Sequence, residues 1–140
     1  MINLAGTFVL LLTVLIVACS DDDSNGDNNP NTPSSTYSIS VTASSDSDYT
    51  LVGTDANREV NGNDPSITMS VGETISFSVN AASHPFYIKT VQGGGTSDQV
   101  SGVSNNGATN GVVSWAPTAA GTYYYQCSDH NGMYGVITVQ

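Results

Sequence analysis

The chain has 140 residues, enough for one domain once a leader is set aside, and 10% of them are charged. Its formal charge is −10 and its only bases are Arg58 and Lys89, which excludes nucleic acid, a partner that needs basic patches. Asp21, Asp22, Asp23 and Asp27 precede residue 30, and the eight acids beyond them serve solubility or attraction to a basic partner.

An apolar run from Leu4 to Val17 leads into Ile16-Val17-Ala18-Cys19. It is shorter than the roughly 20 apolar residues that span a bilayer. The segment resembles the lipobox of bacterial lipoproteins. That likeness implies a signal peptide over residues 1–18 and lipidation of Cys19 as the mature N-terminus. A plain signal peptide and an uncleaved apolar anchor are the alternatives, and Met1-Ile2-Asn3 lacks the Lys or Arg usual in a secretory leader. Residues 20–36 are polar, rich in Asp, Asn and Pro, and have no apolar period. With Cys19 they form a disordered acidic linker over 19–36. As a flexible coil it reaches roughly 20–25 Å, enough to hold a domain above a membrane. Ser20-Asp21-Asp22-Asp23 resembles the surface-export signal of some Gram-negative lipoproteins. The implied location is the bacterial cell envelope, as an outer-membrane lipoprotein facing the periplasm or the exterior.

From Tyr37 onward the chain reads as strands, with apolar and polar residues alternating between turn residues. Tyr37-Ser38-Ile39-Ser40-Val41 alternates cleanly, and Asp48 to Gly53 is the second candidate. Ile67 to Val71 and Ile75 to Val79 flank Gly72-Glu73, a hairpin-like break. Phe86 to Thr90, Val112 to Trp115, Thr122 to Cys127 and Val136 to Val139 complete the set. About eight strands without a helical stripe predict an all-β Greek-key sandwich over 37–140. Residues 92–110 read as a long surface loop.

The chemistry concentrates in Cys127-Ser128-Asp129-His130-Asn131-Gly132-Met133. Tyr123, Tyr125 and Cys127 share strand parity, so if the tyrosines point into the sandwich the sulfur does too, and Tyr124 and Gln126 face outward. A buried cysteine at a strand end also reads as core. Here a tight loop follows, and it can bring Cys127, His130 and Met133 round one point. The chain's other histidine, His84, lies in Ser83-His84-Pro85-Phe86. Two imidazoles, a thiolate and a weak thioether are the donor set of an electron-transfer copper site. Zinc also accepts one cysteine and two histidines, but a methionine in fourth place disfavours it. If Cys19 is acylated, Cys127 is the only free thiol of an exported domain, and metal ligation explains its retention. A Cys19–Cys127 disulfide is the alternative.

At Ser83-His84-Pro85-Phe86 and Gly121-Thr122-Tyr123…Cys127-x-x-His130-x-x-Met133-x-Gly135 the chain resembles the cupredoxins. The short spacing from Cys127 to Met133 is similar to the amicyanin-type ligand loop. The resemblance covers roughly 37–140. It implies one type 1 copper ion, with His84, Cys127 and His130 as equatorial ligands and Met133 as the axial one. In many cupredoxins the residue after the first histidine donates its N–H to the thiolate. Pro85 has no N–H, so the bond is expected to pass to the N–H of Asp129. Asn131-Gly132 makes the loop more polar than the docking patch usual in the family.

These features imply a lipid-anchored, monomeric one-electron carrier that meets a redox partner protein at the membrane. A copper-delivery protein and a copper-free interaction module are the alternatives. An enzyme is not expected: Cys127 and His130 lack a third orienting group, and Met133 fills the position a substrate would need.

Overall fold

The computed structural model describes residues 35–140. The expected signal peptide, Cys19 and the linker as far as residue 34 lie outside the described residues. The described residues form nine strands and no helix: β1 (Thr36–Ala43), β2 (Tyr49–Thr54), β3 (Glu59–Asn63), β4 (Ile67–Met69), β5 (Thr74–Asn80), β6 (Phe86–Lys89), β7 (Asn110–Trp115), β8 (Gly121–Cys127) and β9 (Tyr134–Val139). Thr36, expected at the end of the linker, already pairs with Thr74.

Alternation dictates the packing. Ile39 and Val41 of β1 and Ile75, Phe77 and Val79 of β5 are buried, while Ser38, Ser40 and Ser78 point away from the core. One sheet runs β3-β2-β1-β5-β7 and the other β4-β9-β8-β6. A single apolar cluster draws on both, including Leu51 and Phe77 from the first and Ile88, Tyr125 and Ile137 from the second. This is a two-layer β-sandwich.

Two expectations need correction. Gly72-Glu73 does not close a hairpin. β4 pairs in parallel with β9, whereas β5 pairs with β1 and β7, so the chain changes sheets at this break. The ninth strand, β3, was not foreseen because Val60 is its only buried residue. It is an edge strand held to β2 by backbone bonds, and alternation cannot reveal it.

The Tyr125 ring crosses the core, and its hydroxyl donates to the Pro65 carbonyl at 2.7 Å. Gly135 stands opposite it in the β8–β9 register, and a Cβ there would overlap the phenol. The glycine therefore admits the tyrosine.

Candidate metal centre

The β6–β8 register assembles the site. Phe86 faces Cys127, so the residues just before β6 and those just after β8 meet at one end of the sheet. His84 arrives from the first segment, and Cys127, His130 and Met133 from the second. Ser83, at φ 67°, holds a left-handed conformation immediately before His84, an arrangement that concentrates at functional sites.

One donor atom each from His84, Cys127 and His130 lies within 4.8 Å of the others. Cys127 Sγ stands 3.5 Å from His130 Nδ1. The imidazole centroids are 5.0 Å apart and inclined by 41°. Cys127 is fully buried and His84 is 8% exposed, while the His130 side chain keeps 29% exposure. Met133 is buried, and its backbone closes the loop: its N–H donates to the His130 carbonyl at 3.2 Å and its carbonyl accepts from Cys127 N–H at 3.0 Å.

The fit to a metal ion is testable on one atom. His84 Nδ1 is buried with no hydrogen-bond partner among the described residues. Buried polar nitrogens are normally satisfied, so an unpartnered one calls for an explanation. A metal ion shared with the adjacent thiol and the second imidazole supplies it. Soft sulfur and borderline nitrogen donors suit copper.

Sequence reasoning missed what holds these donors. Gln126 has the parity expected but is fully buried rather than solvent-facing. Its Nε2 donates to the carbonyls of Cys127, His130 and Met133 at 3.0, 2.9 and 3.1 Å. Its Oε1 accepts from Gly93 N–H at 3.1 Å. The loop after β6 covers this face of β8. Gly94 N–H donates to Asn131 Oδ1 at 2.8 Å and Gly95 N–H to the Ser128 carbonyl at 2.6 Å. A Cβ on Gly94 would overlap Asn131. Lys89, 1% exposed, points its ammonium at the carbonyls of Gly93, Gly94 and Gly95. One of the chain's two bases is therefore spent inside, on the loop that braces the site.

Tyr49 supports the other side. Its hydroxyl lies 3.0 Å from the His84 carbonyl and 3.1 Å from that of Pro85. Burial raises its pKa far above the ordinary phenol range, with nearby Cys127 adding to the rise. The expected bond from Asp129 N–H to the sulfur is not formed among the described residues; the Asp129 carboxylate accepts from Ser128 Oγ at 2.7 Å. Pro85, lacking an N–H, joins the ligand loop through its carbonyl, which accepts from Ser128 N–H at 3.3 Å.

Tyr49 N–H is anchored on Asp64 Oδ1 at 3.0 Å. Burial pushes the Asp64 carboxyl up from 3.8 to about 6, and backbone donors Tyr49 and Tyr134 only partly oppose it. The folded chain therefore holds this proton more tightly than the unfolded chain. Its contribution to stability is present below the unfolded value and is lost as pH rises through about 6. Urea midpoints compared between the full chain and Asp64→Asn should show this falling component between pH 4 and 7 in the wild type alone.

No protein-family model and no curated protein sequence matches this chain. Solved structures match its fold. The copper protein rusticyanin superposes with a TM-score of 0.51 at 20% identity, over 75% of this chain and 78% of its own. A methionine-to-leucine variant of rusticyanin gives 0.52 at 19% identity, over 78% and 79%.

Proposed function

From the cupredoxin fold of residues 35–140 and the donors gathered at one end of it, we propose that this chain is a type 1 copper electron carrier. His84, Cys127 and His130 would hold one ion, with Met133 as the fourth ligand. The observation that carries this reading is the unpartnered His84 Nδ1, buried beside the thiol and the second imidazole. Bound copper supplies a one-electron Cu(II)/Cu(I) couple. A donor protein gives up one electron and an acceptor of higher potential takes it, with no bond made or broken.

The protein's own residues hold the donors still. Gln126 ties three backbone carbonyls of the ligand loop together, and Tyr49 ties the His84 segment. Such surrounding bonds orient ligands and tune a metal. His130 keeps the exposed edge through which a partner's electron can enter. The lipid on Cys19 and the linker would keep the domain at the bacterial envelope, within reach of a membrane-bound partner.

The test is addition of Cu(II) to the full chain. We expect an intense thiolate-to-copper band in the red, bleached and restored by reversible one-electron reduction. Loss of the ion to a chelator on reduction would turn the reading to copper delivery. A colourless chain that binds no copper would overturn it.

A further inference from the structure

Both histidines turn a second nitrogen outward, and one carboxylate meets both. Asp46 Oδ1 lies 3.8 Å from His84 Nε2, and Asp46 Oδ2 lies 3.7 Å from His130 Nε2. These are the two ion-pair-range contacts among the described residues, although eight acids lie within them. Neither base competes for Asp46: Lys89 is buried among glycine carbonyls, and no such contact involves Arg58. Asp46 lies in the turn between β1 and β2. Pairing of Ala43 with Tyr49 closes that turn, and Tyr49 is itself bonded to the His84 and Pro85 carbonyls. The tyrosine that braces His84 from within therefore also fixes where the turn carries Asp46.

We propose that Asp46 is a positioning residue for both ligand histidines and holds down the reduction potential of the centre. The proposal rests on the copper reading. A carboxylate facing Nε2 favours the tautomer with its proton there, leaving Nδ1 as the inward donor. For His84, Nδ1 is the atom left buried and unpartnered. A negative charge beside the imidazoles also stabilises Cu(II) over Cu(I). Its exposure, 78% for the side chain, makes the effect modest and sensitive to salt.

The experiment measures the visible spectrum and reduction potential of the copper-loaded full chain, Asp46→Asn and Asp46→Lys. Glu59→Gln serves as the charge control. Glu59 pairs with Thr54 at the far end of β2 from Tyr49, about 17 Å away at strand rise and beyond the Debye length of ~10 Å at 0.1 M salt. We expect Asp46→Asn to shift the Cu(II):Cu(I) ratio at fixed potential by roughly fivefold toward Cu(I) at low salt. Asp46→Lys should shift it further, both shifts should shrink with added salt, and Glu59→Gln should give none. A coloured wild type whose potential ignores the charge at position 46 overturns this proposal and leaves the copper reading standing. A wild type with no band overturns both.

Discussion

Gln126→Glu is expected to destabilise the metal-free domain by about 3–5 kcal/mol, the size of effect seen when a buried polar network is broken and a charge is left unpaired. The two side chains have the same shape, so packing is not at issue. The amide offers donors to three carbonyls, those of Cys127, His130 and Met133. A carboxylate offers none, and it would face three partial negative charges in a fully buried position. Gly93 N–H is the one donor left to it. Protonation would restore one O–H donor and remove the charge, so the gap to wild type should narrow as pH falls. Urea unfolding of the metal-free full chain from pH 4 to 8 checks both the size and the pH dependence. A loss under about 1 kcal/mol at pH 8 would show that Gln126 does not hold the ligand loop.

The same residue marks where the sequence stops being legible. Strand parity places Gln126 opposite Cys127, and that is correct. Parity cannot tell that the loop of residues 90–109 folds back over that face, because the covering contacts are made by glycine backbones and Asn131 rather than by apolar side chains. β1, β5 and β9 were legible because their buried faces alternate. β3 was not, since its partners are backbone groups. At the site, His84, Cys127 and His130 stood out by chemical type and spacing, and the fold brings them together. Tyr49 and Asp46 carried no such signal. A tyrosine opening a strand and an aspartate in a serine-rich turn are ordinary until the β1–β2 register delivers both to the His84 segment. The expected thiolate bond from Asp129 failed for a related reason. The absence of an N–H on Pro85 was readable, but the polar group the fold sets against the sulfur is the His130 imidazole, at 3.5 Å.

Cys127→Ser is expected to abolish the red band and reduce Cu(I) affinity by orders of magnitude while leaving the fold in place. The thiolate is the only anionic donor in the proposed set. A serine hydroxyl keeps its proton at neutral pH and is a hard oxygen, so it offers neither the soft bond that Cu(I) favours nor the sulfur-to-copper transition. The fold has less at stake. Cys127 is fully buried but small, and its backbone N–H stays bonded to the Met133 carbonyl at 3.0 Å. The metal-free variant should therefore unfold within about 1 kcal/mol of wild type. Paired copper titration and urea unfolding separate the two properties. Colour that survives in the variant would show that the sulfur is not a ligand. Colour lost together with the folded state would show that Cys127 is held for packing, with the metal reading then resting on the histidines alone.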